Sequence, residues 1–163
     1  MVRTYIDSGV LIYAAKGTAT ASTLALPFVT DPQREYVTSD YVRLEVLPKS
    51  KFNRMVAEAS FYEAFFAANA MCIAPSTTLT NLAMEQAVKH GMSGMDALHV
   101  AAAVLAGAQE LVTSEISTKP IHRTELIKVI SIFPDVPARR KALARRLTHP
   151  LYRLAGFIER HMS

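Results

Sequence analysis

Short apolar runs alternate with helical stretches over most of this chain, and Gly, Pro or small polar residues close them. This alternation constrains the fold most, because strands separated by helices pair in parallel and need helices on both faces of the sheet. "RTYI" opens as a strand and "DSG" stops it in a polar turn. "VLIYAAKG" predicts a short helix closed by Gly17. "TATASTLALPFVTDP" predicts a helical turn and loop ending at Pro32. "REYVTS" has strand character, Ser39 or Asp40 caps the helix "YVRLEVLPK", and Pro48 marks a break. In "KFNRMVAEASFYEAFFAANA", Phe52, Met55, Val56, Ala59, Phe65 and Phe66 recur at near-helical spacing, which predicts one long amphipathic helix.

The second half repeats the pattern. "MCIAP" predicts a core strand that makes Cys72 structural. "STTLTNLAMEQAVKHG" predicts a helix from Ser76 to Gly91, and "SGMDALHVAAAVLAG" a buried, Ala-rich one ended by Gly107. "ELVTSE" reads as a short strand, "STKPIHRTEL" as a loop and "IKVISIF" as the strongest strand, ended by Pro134. The expected fold is α/β: an α/β/α sandwich around a central parallel sheet of four to five strands.

Half of the 163 residues are apolar and a fifth are charged, which excludes global disorder. No apolar run approaches the roughly 20 residues of a membrane span. Cys72 is the only cysteine and cannot form an internal disulfide. With no signal-peptide pattern at the N-terminus, a cytoplasmic protein without integral membrane association is expected. The net charge of +4 is unevenly spread: residues 1–137 sum to −2 and residues 138–163 to +6.

In parallel sheets, functional groups gather beyond the carboxyl ends of the strands. Asp7 follows the first strand, Glu115 follows "LVT", Asp96 opens the helix before that strand, and Glu45 lies in the helix after "EYVTS". Clustered carboxylates repel one another unless a cation neutralises them. Mg²⁺ or Mn²⁺ take such oxygen ligands and can activate water against a phosphodiester. Each acid also has a plain alternative. Asp7 can serve the turn, Asp96 completes a Ser-x-x-acid capping box from Ser93, and Glu45 and Glu115 can be ordinary helix residues.

Together the segments resemble a PIN domain, and in particular the VapC-type toxin ribonucleases. "YIDSGVLIYAAKG", "VTSDYVRLEV", "GMSGMDALHVAAAVLAGAQELVTSE" and "LIKVISI" carry the likeness over roughly residues 2–133. The resemblance implies that Asp7, Glu45 and Asp96 hold Mg²⁺ or Mn²⁺, with Ser8, Ser39 and Thr113 as supporting hydroxyls. The fourth acid departs from the pattern: Thr113-Ser114-Glu115 supplies Glu where the family usually has Asp. It implies hydrolysis of RNA by a metal-activated water, with no side-chain nucleophile. The implied partner is a small antitoxin protein. A non-catalytic PIN-like module that binds nucleic acid or regulates is the alternative. A receiver-like domain fits less well, because "IKVISIF" is not followed by the Lys such a site needs.

His99, one turn past Asp96 in an apolar helix, reads as a packed, hydrogen-bonded core residue, and Met92 and Met95 as gap fillers. Lys16, Arg43, Lys49, Lys51 and Arg54 flank two of the acids and are candidates for RNA phosphates. His122 and Arg123, in the loop after Glu115, are the better-placed ones. Residues 1–137 are thus read as the nuclease domain and 138–163 as a basic, amphipathic helical extension. Leu143, Leu147, Leu151, Leu154 and Ile158 form its apolar stripe, despite Pro150. That stripe suits packing or homodimerisation, and its arginines suit RNA.

Overall fold

The computed structural model describes residues 1–16 and 19–133. Gly17 and the expected extension 138–163 lie outside the described residues. Five strands, β1 (Val2–Ile6), β2 (Arg34–Ser39), β3 (Met71–Ile73), β4 (Glu110–Thr113) and β5 (Lys128–Ser131), form one sheet in the order β3-β2-β1-β4-β5. All four pairings are parallel. β1 is central, with Tyr5 opposite Val37 on one side and Leu111 on the other. Thr4, Tyr5 and Ile6 are fully buried, as expected of a parallel strand covered on both faces.

Among the described residues, six helices flank the sheet: α1 (Ser8–Ala15), α2 (Ala19–Val29), α3 (Asp40–Phe52), α4 (Val56–Ala68), α5 (Thr77–His90) and α6 (Gly94–Leu105). α1 packs against α2, α3 and α4, while α5 pairs with α6. This is the expected α/β/α sandwich. Ala97, Ala101, Ala102 and Ala103 are buried with Val100, so small side chains let α6 lie close to the sheet. Ser76 and Ser93 cap α5 and α6 as expected, accepting from Leu79 N and Asp96 N at 3.1 Å each.

Several local expectations are corrected. The turn-and-loop stretch before Pro32 contains an 11-residue helix, α2, with Pro27 only in its last turn. α3 continues through Pro48 to Phe52. The carbonyl that loses its partner there belongs to Leu44, on the exposed side of the helix, where water can replace the bond. The single long helix is instead two. α3 ends where Arg54 takes φ 54°, with Met55 N bonding Ser50 O and Arg54 N bonding Lys51 O. That is a Schellman closure built on a residue other than glycine. The apolar face drawn across it therefore breaks: Phe52 is 87% and Val56 73% exposed, while Tyr62 and Phe65 are buried. Cys72 lies exposed on the edge strand β3 rather than in the core. The loop before β5 holds a 3₁₀ turn, Pro120–Arg123.

Candidate functional site

The sheet order reverses at β1, the position where α/β sheets open a crevice at their carboxyl ends. Asp7 stands there. Its N–H bonds Val112 O at 3.1 Å, so it extends the ladder, and its Oδ1 accepts from Val10 N at 3.0 Å as the N-cap of α1. It is 5% exposed. Burial pushes its carboxyl above the ordinary range; His99, the Thr113 hydroxyl and the Val10 amide oppose that, and the charge of Glu45 adds to it. The turn-stabilising reading of Asp7 is thus met by its N-cap bond.

Glu45 arrives from α3, which Ser39 caps. Its Oε2 lies 3.0 Å from His99 Nε2, and the Ser8 hydroxyl also bonds it. Burial raises its carboxyl, but the hydrogen bonds from His99 and Ser8 oppose burial and hold it below the ordinary range. His99 is 4% exposed, packed and hydrogen-bonded as expected. Its Nδ1 lies 3.0 Å from the Tyr5 hydroxyl, which lies 2.7 Å from Ser39 Oγ. Of the three hydroxyls singled out in the sequence, Thr113 bonds Asp7 and Ser8 bonds Glu45, while Ser39 reaches Glu45 only through Tyr5 and His99. Sequence reasoning missed Tyr5 and the bond from His99 to Glu45. A tyrosine two residues before a strand-end acid shares its side of the strand, and a histidine three after Asp96 shares its helix face. Those two spacings were the available signals.

Asp96 is half-buried in the first turn of α6, on the face that His99 also occupies. Glu115 sits in the loop after β4. Its N–H donates to Thr113 Oγ1 at 3.0 Å, and His122 Nε2 lies 3.0 Å from its carbonyl oxygen. His122 thus pins this loop. Arg123 donates to His90 O at 3.2 Å, at the end of α5. Arg43 lies over the Phe66 ring and 3.8 Å from Asp40. Lys51 pairs with Glu63 at 2.7 Å. Lys16 and Lys49 line one groove with Glu45. Among the described residues, no three His, Cys, Asp or Glu side chains are grouped closely enough to hold a metal ion. The structure draws together Asp7 and Glu45, which feel each other's charge. Two hard oxygen donors completed by water suit a cation of the Mg²⁺ type, which seldom takes an all-protein cage.

No family model and no curated protein matches the sequence. Solved structures do resemble the chain. A toxin–antitoxin complex from Klebsiella pneumoniae is similar at 21% identity and a TM-score of 0.60, covering 80% of this chain and 98% of that one. VapBC2 from Rickettsia felis, bound to a DNA fragment from its promoter, is similar at 17% identity and TM-score 0.58, over the same shares. VapBC-1 from nontypeable Haemophilus influenzae is similar at 16% identity and TM-score 0.58, again over 80% and 98%. At these identities the likeness speaks for architecture, and the PIN-like fold that the sequence resembles is the fold this chain has.

Proposed function

We propose that the chain is a metal-dependent endoribonuclease, the toxin of a toxin–antitoxin pair. The observation that carries this reading is the buried Asp7 facing Glu45 at the sheet's crevice, on a fold shared with chains of toxin–antitoxin complexes. Asp7 and Glu45 would hold Mg²⁺ or Mn²⁺, with Asp96 as the further acid that α6 would contribute. When bound, such an ion supplies Lewis-acid stabilisation to a phosphodiester and acidity to water. The protein's part is to fix the acids and admit the polyanion. Thr113 and the Val10 amide hold Asp7, and His99 and Ser8 hold Glu45. Lys16 and Lys49 offer ammonium groups to RNA phosphates along the groove that Glu45 borders. Glu115, in place of Asp, puts its carboxylate one methylene further out and suits a water-mediated contact.

The partners proposed are an RNA substrate, a small antitoxin protein and a second copy of the chain, in the cytoplasm. Among the described residues no helix is long and apolar enough to cross a membrane. The test is cleavage of a mixed tRNA, rRNA and mRNA pool with Mg²⁺, Mn²⁺ or EDTA. The wild-type chain is expected to cut only with a divalent ion. Asp7→Asn and Asp96→Asn should remain folded and lose cleavage by 100-fold or more, on the order seen when charge stabilisation is removed from an active site. A folded wild type that binds RNA and cuts it with neither metal would instead establish the non-catalytic module.

A further inference from the structure

Glu45 reaches the site on a long side chain whose torsions must be frozen to present its carboxylate, and ordering them opposes binding. The structure freezes them from α6. His99 Nε2 faces Glu45 Oε2 at 3.0 Å, so Nε2 carries a proton and donates it to the carboxylate. The other ring nitrogen, Nδ1, faces the Tyr5 hydroxyl at 3.0 Å. A phenol carries its proton at neutral pH, so Tyr5 has one to donate. Tyr5 in turn meets Ser39 Oγ at 2.7 Å, and Ser39 accepts from Val42 N as the cap of α3. Every proton in this row is placed when all point one way: Val42 N–H to Ser39, Ser39 O–H to Tyr5, Tyr5 O–H to Nδ1, and Nε2–H to Glu45. The row starts at the cap of α3, crosses β1 and α6, and returns to α3 at Glu45. It therefore ties the helix that carries Glu45 to the helix that carries Asp96.

We infer that His99 is the positioning residue for Glu45, held in its Nε2–H tautomer by Tyr5 and Ser39 so that the carboxylate is presented ready-oriented to the site's divalent ion. The inference rests on the reading of Glu45 as a ligand of that ion. Outer partners of this kind change metal affinity by about 10–100-fold when removed.

The experiment titrates Mn²⁺ alone into the full chain, following free ion by electron paramagnetic resonance, with a ¹⁵N spectrum of the histidine rings recorded in parallel. The wild-type His99 ring is expected as a single tautomer, protonated on Nε2. His99→Leu is expected to weaken Mn²⁺ binding by about 10–100-fold. His99→Gln, whose amide nitrogen can stand where Nε2 stood, is expected to restore most of that loss. Tyr5→Phe is expected to mix the ring tautomers and weaken Mn²⁺ severalfold, and it carries the test together with His99→Gln if the leucine variant does not fold. A wild-type ring protonated on Nδ1, or Mn²⁺ affinity unchanged in His99→Leu while lost in Glu45→Gln, overturns the positioning role. Unchanged affinity in Glu45→Gln overturns the ligand reading itself, and the role of His99 with it. The ring spectrum then still reports whether the hydrogen-bonded row exists, which separates the two failures.

Discussion

The two ends of the sheet bury acids to the same depth and treat them in opposite ways. At the amino end, Glu110 is 7% exposed and faces the Arg34 guanidinium, and it also accepts from the Thr4 hydroxyl at 2.8 Å. Arg34 is held from its other sides by Asp31 and by the Phe28 ring, and Arg3 pairs with Glu35 alongside. At the carboxyl end, Asp7 is as deeply buried, yet among the described residues no Lys or Arg pairs with it. It receives only a hydroxyl, an amide and the neighbourhood of His99. Where a buried carboxylate serves cohesion, the chain provides its cation. At Asp7 the described residues provide none, and the proposed metal would fill that place.

The largest effect should come from breaking the amino-end pair. Arg34→Met leaves Glu110 buried and uncompensated, which is expected to cost about 3–5 kcal/mol in urea unfolding, whereas Arg34→Met with Glu110→Leu should return near wild-type stability. If both variants lose equally, the guanidinium matters for packing and not for charge. The carboxyl end should answer in the opposite sense. A carboxyl whose folded pKa is raised binds more protons folded than unfolded, so its ionisation opposes folding as pH rises above the ordinary aspartate value of about 3.9. Asparagine can keep the cap on α1 without the charge. In EDTA, Asp7→Asn is therefore expected to be more stable than wild type at pH 7, with the two converging as pH falls toward 4. A difference independent of pH would mean that the Asp7 carboxyl titrates alike folded and unfolded, and a wild type that gains on Asp7→Asn as pH rises would mean that Asp7 already has its cation. The smallest effect tests the seat of α1. A Cβ at Gly9 would run into the Ser114 side chain, so Gly9→Ala should cost about 1–3 kcal/mol by overpacking. Adding Ser114→Gly should recover most of it, as read by thermal unfolding.

What could be read ahead of the structure follows from whether the cause is local. Three helices end in the same left-handed turn. Gly91 at φ 68° and Gly107 at φ 65° advertise it, because glycine takes that conformation without strain. Arg54 makes the same turn and advertises nothing, so the last residues of α3 read as the start of α4. The strand alternation is likewise local, and the sheet class followed from it. The strand-end acids were legible because a parallel sheet collects such residues at one edge. The bond between His99 and Glu45 was not, since it joins α6 to α3 through contacts that exist only after packing. Cys72 misled for a related reason: an apolar triplet looks the same in an edge strand as in a central one.

The strand order also sets a sequence of events. β1 is made first and sits in the middle, so the edge that Asp7 borders stays open until residues 110–113 arrive. The register then joins Thr4 to Glu110 across a separation of 106 residues, and Thr113 closes over Asp7. Contacts of such long span form slowly. A ribosome must therefore deliver two thirds of the chain before the first acid in it acquires its folded surroundings, and a product that stops short of residue 110 lacks the strand and the hydroxyl that enclose Asp7.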